Sequence, residues 1–171
     1  ETDQRLRGAL AAEQFFLVYQ PIIDARTMRV IAFEALARWA DPERGQVSPA
    51  HFIPVAEENG LIIEIDKCVL KHACKLLAKN PWMPRLAVNI SAKAICLPQV
   101  VTQVHDTLLE VGISPKRLEL EVTETALVHD LNRALHNLRQ IKALGIAIAM
   151  DDFGTGYSSL RYLCDFRFDK I

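Results

Sequence analysis

The chain has 171 residues, of which 50% are hydrophobic and 24% are charged, and its formal net charge is −1. This length and composition predict one globular domain with a single core. The near-neutral charge argues against a broad surface for large nucleic acids, and no apolar run approaches the ~18 residues that a membrane span needs.

The first part of the chain predicts a leading helix and an antiparallel pair of strands. Residues 1–14 form the polar leading helix, and the segment from Phe15 to Asp24 is rich in residues that favour strands. A turn from Ala25 to Arg29 follows, and the next strand begins at Val30. Because this link is too short for a crossover helix, the two strands are expected to be antiparallel.

After this hairpin and a turn at 41–45, helices alternate with strands. Apolar spacing, prolines and glycines delimit the elements. The predicted helices are 48–60, capped by Ser48 with Pro49 at its first position, and then 64–79, 98–112 and 131–145. The predicted strands between them are 85–91, 118–124 and 146–152. Such alternation predicts a parallel sheet with right-handed crossovers.

Each of these strands has one bulky apolar face and one face of small and polar residues. The polar faces carry Glu34, Asn89, Glu121 and Asp151, each near the end of its strand. The bulky set is expected to face the helices. The polar set is expected to face the interior of a β/α barrel with a polar mouth.

The four polar positions offer only oxygen donors. Oxygen ligands suit Mg²⁺, Mn²⁺ or Ca²⁺ rather than structural zinc or copper. For any one position alone, a salt bridge or a solvated rim residue is the simpler interpretation. Four inward polar groups are costly unless they are paired or metal-bound, so their repetition at equivalent strand ends favours a metal site.

Three further features near this predicted site each allow two interpretations. Asp151 and Asp152 could bridge two cations for in-line attack on a phosphate ester, or Asp152 could cap the segment that follows. The segment Gly154 to Ser159 could cradle a phosphate or form a flexible loop that shapes the metal site. Arg38 could hold a substrate phosphate or pair with a neighbouring acid, and its spacing favours neither.

Five segments of the chain occur together, in the same order, in one known family. They are Tyr19-Gln20-Pro21, Glu34-Ala35-Leu36-Ala37-Arg38, Val88-Asn89-Ile90-Ser91, Glu121-Val122-Thr123-Glu124 and the long segment from Asp151 to Leu160. The second resembles the E-A-L-x-R signature of the EAL domain, the bacterial cyclic di-GMP phosphodiesterase, and the last is highly specific to that family. The resemblance extends from about Leu10 to the end of the chain.

The resemblance implies an α/β fold, a TIM-type barrel with an antiparallel first strand. Residues 1–171 would be the N-terminal two-thirds of one such domain, and its last strands would be missing from this chain. The implied reaction is hydrolysis of cyclic di-GMP to linear pGpG at a two-metal site holding Mg²⁺ or Mn²⁺.

The resemblance also assigns roles by position. The family's metal ligands fall on five residues: Glu34, Asn89, Glu121, Asp151 and, for the second metal, Asp152. Its dinucleotide contacts fall on three residues: Gln20, Leu36 and Arg38. Glu124 matches a glutamate that steadies the loop after Asp152. The expected catalytic residues are therefore Glu34, Asp151, Asp152 and Glu124.

The chain ends where the family's sixth strand begins. The family's catalytic lysine would come just beyond Ile171, and Lys170 matches the variable position before it. The alternative is therefore an EAL-like receptor that binds cyclic di-GMP or a protein partner without turnover. A protein kinase, which the Asp-Phe-Gly triplet suggests, is excluded because the sequence has no Gly-rich phosphate loop and no His-Arg-Asp motif.

The surroundings of the domain are also expectations. The chain begins at Glu1 without a Met, which predicts excision from a longer signalling protein with sensory or GGDEF-type neighbours. Four cysteines without a Cys-x-x-Cys pair predict reduced thiols. The expected location is the cytoplasm, or the cytoplasmic part of a membrane-anchored protein. The family further implies a homodimer through the region around the Asp151–Ser159 loop.

Overall fold

A mixed six-stranded sheet carries the fold. The computed structural model describes residues 2–124, 127, 130–151 and 166–170, so Asp152 and the predicted loop at 154–159 lie outside the described residues. The strands are β1 (Phe15–Ile23), β2 (Val30–Asp41), β3 (Gly45–Val47), β4 (Leu86–Asn89), β5 (Leu118–Thr123) and β6 (Ala147–Asp151).

The order of the strands agrees with the predicted crossovers. The strand order in the sheet is β1-β2-β4-β5-β6. The short strand β3 pairs with the last three residues of β2. β1 and β2 are antiparallel, whereas β2, β4, β5 and β6 are parallel neighbours. The predicted antiparallel first pair and the parallel sheet are therefore confirmed. Beyond β6, Lys170 forms a parallel bridge with Ala149.

Helices connect the parallel strands. After the leading helix α1 (Thr2–Ala11), they are α2 (Pro49–Asn59), α3 (Ile62–Lys79), α4 (Ala92–Ile95), α5 (Val100–Val111) and α6 (Leu131–Ala143), with a 3-10 turn at Pro115–Arg117. Gly60 and Gly112 end α2 and α5 in the left-handed conformation, with φ of 78° and 73°. Within the described ranges, no helix is long and apolar enough to cross a membrane.

Three local features differ from the sequence prediction. The predicted turn at 41–45 ends in β3, and the single turn of α4 was not predicted. Both are too short for hydrophobic periodicity to reveal them. Ser48 does precede α2, but its side chain makes no capping hydrogen bond.

The core lies between one face of the sheet and the helices. Buried strand residues such as Val88, Leu120 and Ile148 pack in one cluster with helix residues such as Leu77 and Val104. The opposite faces of the same strands carry small residues and acids. The predicted division into a helix-facing apolar face and an interior small and polar face is confirmed.

The leading helix is fixed to the end of β2 by a charged contact. The Arg5 guanidinium donates to both carboxylate oxygens of Asp41, at 2.7 and 2.9 Å from Nη2, and also contacts Glu43. Asp41 is only 4% exposed. The Arg5 contact holds the pKa of Asp41 down at about 2.

Candidate functional site

Polar side chains from four neighbouring strands meet at the carboxyl edge of the parallel sheet. Asn89 and Asp151 are the last residues of β4 and β6, and in the register Asn89 pairs with Glu121 while Thr123 pairs with Asp151. Glu34 of β2 pairs with Ala87, two residues before Asn89. The carboxyl edge of a parallel sheet is where α/β proteins build their active sites.

Hydrogen bonds fix the end of β4 between its neighbours. The Asn89 amide Nδ2 donates to Glu34 Oε1 at 3.0 Å. On the other side, the backbone N–H of Ile90 donates to the carbonyl oxygen of Glu121 at 3.0 Å. Asn89 is therefore held next to both glutamates that were predicted to share its metal site.

Negative charge accumulates around Glu121. This residue is 6% exposed, and its pKa is raised to about 7, first by burial and next by the charge of Glu34. Asp151 and Glu119 add smaller contributions in the same direction, while Lys170 Nζ, 3.6 Å from Glu121 Oε1, opposes them. A carboxylate in such surroundings is stabilised by a nearby cation.

The donor set fits a hard divalent cation. Glu34, Asn89, Glu121 and Asp151 supply carboxylate and amide oxygens, which Mg²⁺ and Mn²⁺ prefer. Among the residues described, no three His, Cys, Asp or Glu side chains are already arranged around one possible metal position. An amide binds such a cation through its oxygen, so Asn89 can keep the hydrogen bond from its Nδ2 to Glu34.

The predicted substrate contacts lie on both sides of Glu34. Gln20 of β1 is exposed and pairs with Glu34 across the antiparallel register. Leu36 and Arg38 line a cavity of about 380 Å³ that is bounded by β2, α2, α3 and the end of β4, where Asn89 also lines it. Gln20 does not line this cavity.

Arg38 has no acidic partner among the described residues. Its Nη1 donates to the backbone carbonyl of Ala37 at 2.8 Å, and its side chain is half-buried. The ion pair that its spacing allowed is therefore not formed there. A guanidinium on the wall of a cavity is suited to an anionic ligand such as a phosphate.

The comparisons with known proteins agree with this architecture. A family model described as "EAL domain" matches residues 3–171. The chain belongs to the EAL domain family. The chain is 51% identical to an uncharacterized signaling protein of Caulobacter vibrioides, over 97% of the chain and 20% of that protein. It is also 41% identical to MucR of Pseudomonas aeruginosa, a bifunctional diguanylate cyclase/cyclic di-GMP phosphodiesterase, over 92% of the chain and 24% of MucR.

A solved structure of the MucR phosphodiesterase in complex with c-di-GMP has a TM-score of 0.91 to this chain at 38% identity. The match covers 98% of this chain and 69% of that one. It confirms the predicted α/β fold of an EAL domain. The chain spans less than a third of the length of the Caulobacter relative and of MucR.

The roles assigned by resemblance to Glu124 and Asp152 depend on residues that the structure does not describe. Glu124 follows β5 directly and is 2% exposed. The loop that it is predicted to steady, and Asp152 itself, lie outside the described residues. Their assigned roles stay predictions.

A second charged cluster, for which the sequence predicted no role, lies on β5 nearer to the start of the strand than Glu121. Glu119, two residues earlier on the same strand face, is 4% exposed. Its Oε2 accepts from Arg85 Nη1 at 3.1 Å, and its Oε1 lies 3.8 Å from Lys170 Nζ. Strand alternation predicts that Glu119 faces inward with Glu121, but it does not reveal the two cationic partners, which lie 34 and 51 positions away in the sequence.

Proposed function

We propose that this chain is part of an EAL domain that hydrolyses cyclic di-GMP to linear pGpG in a metal-dependent reaction. The observation that carries the proposal is the set of oxygen donors at the carboxyl edge, with the pKa of Glu121 raised to about 7 by burial and by the charges of its neighbours. A divalent cation bound between these acids would compensate their negative charge. The phosphodiesterase names and the c-di-GMP complex among its relatives support the choice of substrate.

The proposed metal ligands are Glu34, Asn89, Glu121 and Asp151, with Asp152 serving a second cation. Bound Mg²⁺ or Mn²⁺ would polarise a phosphate oxygen and lower the pKa of a water molecule. Glu34 and Asp151 lie on the two outer strands of the parallel part of the sheet, β2 and β6. The proposed ligands therefore span the whole width of its carboxyl edge.

The proposed substrate contacts orient the dinucleotide above this edge. Arg38 would hold a phosphate through its guanidinium, and Leu36 would pack against an apolar part of the ligand in the same cavity. Gln20 would contribute a hydrogen bond from the other side of Glu34. Addition of water across one phosphodiester bond would leave a phosphate and a hydroxyl group, which opens the ring to the linear product.

Further parts of the proposal concern the complete protein. Residues 1–171 would be about two-thirds of one EAL-type barrel domain, with Glu124 steadying the loop that follows Asp152. That loop would contribute to a homodimer, and sensory or GGDEF-type domains would adjoin it. The site would face the cytoplasm, where the second messenger is found.

The test is hydrolysis of cyclic di-GMP by the complete protein with Mg²⁺ or Mn²⁺, followed by separation of the products. We expect pGpG, and we expect its formation to stop when a chelator is added. Glu34→Ala should abolish turnover and leave the thermal midpoint nearly unchanged. The control is Glu64→Ala, because Glu64 is exposed on α3 and pairs only with Lys67 in the described structure.

Two results would count against the proposal. Unchanged turnover in Glu34→Ala would remove the metal-ligand assignment. Saturable binding of cyclic di-GMP by the wild type without any product would instead identify a receptor.

A further inference from the structure

One acid on α3 reaches the turn that follows β4. Asp66 Oδ2 accepts a hydrogen bond from the backbone N–H of Ser91 at 2.9 Å. Ser91 comes two residues after Asn89 and is the N-cap of α4, where its hydroxyl accepts from the N–H of Ala94. A side chain on a rigid helix thus holds the backbone immediately after a proposed metal ligand.

This contact completes the support of the strand end. The N–H of Ile90 is bound to β5, through the carbonyl oxygen of Glu121, and the next N–H, that of Ser91, is bound to α3. Two consecutive peptide groups are therefore held by two different elements. Together they fix the direction of the backbone from which Asn89 projects, because a peptide held on both sides cannot rotate freely.

The surroundings of Asp66 disfavour its charged form. Asp66 is half-buried and lines the cavity between α3 and the end of β4. Burial raises the pKa of this group to about 6, although the hydrogen bonds from Ser91 act in the opposite direction, and the charge of Glu57 raises the pKa further. A buried carboxylate stabilises its surroundings only through the contacts that it makes.

We propose that Asp66 is a positioning residue of the metal site, which orients Asn89 by holding the N–H of Ser91. The inference rests on the function proposed above, because it takes Asn89 as a metal ligand. Asp66 is not a metal ligand in this account, although it lines the same cavity as Leu36 and Arg38. Groups that hydrogen-bond directly to metal ligands commonly alter metal affinity or activity by 10–100-fold when they are removed, and we expect the low end of that range for a contact two residues away.

The test measures Mn²⁺ binding directly in the complete protein, from the free Mn²⁺ signal in electron paramagnetic resonance, beside the rate of pGpG formation. Asp66→Ala removes the acceptor, and we expect its Mn²⁺ dissociation constant to rise about 10-fold. Asp66→Asn keeps an oxygen acceptor for the N–H of Ser91, so it should stay within about 3-fold of the wild type.

A second control separates positioning from loss of stability. Ala73→Gly lies two turns further along α3 in the core and weakens the helix without touching the end of β4. We expect this variant to lower the thermal midpoint while leaving the Mn²⁺ dissociation constant unchanged. Equal weakening of Mn²⁺ binding in Ala73→Gly and Asp66→Ala would overturn the positioning role.

The remaining outcomes are also decisive. An unchanged dissociation constant in Asp66→Ala overturns the inference while the phosphodiesterase proposal stands, provided that the wild type forms pGpG. If Asp66→Asn weakens Mn²⁺ binding as much as Asp66→Ala does, the effect comes from the charge of Asp66 and not from its hydrogen bond. That result would also overturn the inference. A wild type that neither binds Mn²⁺ nor forms product would remove both proposals.

Discussion

Removing the charge of Glu121 should stabilise the metal-free protein. The pKa of this group is raised from its ordinary value near 4.5 to about 7, so above pH 7 the folded state holds an unfavourable charge. A rise of this size corresponds to at most about 3.4 kcal/mol, and to about 1–2 kcal/mol after relaxation of the buried site. Glu121→Gln keeps the shape of the side chain and should recover most of that free energy.

The assay is thermal unfolding of the complete protein at pH 8 in excess chelator, read at the transition of this domain. The expected gain raises the midpoint of Glu121→Gln by about 2–8 °C. In Mg²⁺ or Mn²⁺ the order should reverse, because a cation that binds only the folded state stabilises the wild type by mass action. The same variant should form no pGpG.

Glu119→Gln is the matched control. It removes the same charge from the same strand face, two residues away. Both variants lose a contact with Lys170, but only Glu119→Gln also loses the closer contact with Arg85. We expect its midpoint to fall, by the equivalent of about 1–2 kcal/mol. A midpoint of Glu121→Gln at or below that of the wild type in chelator would refute the electrostatic reasoning.

Two further predictions concern the stability of the folded domain away from the candidate site. Arg5→Ala should lower the thermal midpoint at pH 7, whereas Arg7→Ala should not, because Arg5 pairs with the buried Asp41 and Arg7 makes only an exposed contact. The pKa of Asp41 is lowered, so the stability from this pair is present above pH 4 and is lost as the pH falls towards 2. The thermal midpoint of Arg5→Ala should therefore change less with pH below pH 4 than that of the wild type. Equal slopes in the two proteins would contradict this. Gly112→Ala should destabilise by about 1 kcal/mol, because Gly112 has a φ of 73°, while Gly8→Ala in the exposed part of α1 should stabilise by a similar amount. Urea unfolding of both variants measures the difference, and equal signs would refute it.

Much of the fold follows from local pattern in the sequence. The alternation of bulky and small residues in β4, β5 and β6 predicted which faces meet the helices, because a two-residue period can be read from each strand alone. The short link before Val30 predicted the antiparallel first pair for a similar reason. β3 and α4 escaped prediction because three or four residues carry too little periodicity.

The candidate site was less completely predictable. Glu34, Asn89, Glu121 and Asp151 stand out because each was predicted near the end of a strand. For Glu34 that prediction was wrong, since it is the fifth of the twelve residues of β2, but it does lie one residue before the parallel pairing with β4 ends. Asp66 looks like an ordinary helix acid, since its partner is a backbone N–H 25 residues away that leaves no mark in the sequence. The pairing of Glu119 with Arg85 likewise depends on register between strands, which composition and spacing do not give.

The reversal of the first strand has a practical consequence. Because β1 and β2 are antiparallel, their connecting turn lies at the end of the sheet opposite the carboxyl edge. Asp24 closes this turn by accepting from the N–H groups of Arg26 and Thr27, both at 2.8 Å, and Met28 beside them is 74% exposed. A tether attached at Met28 would anchor the protein to a surface with its carboxyl edge pointing into solution.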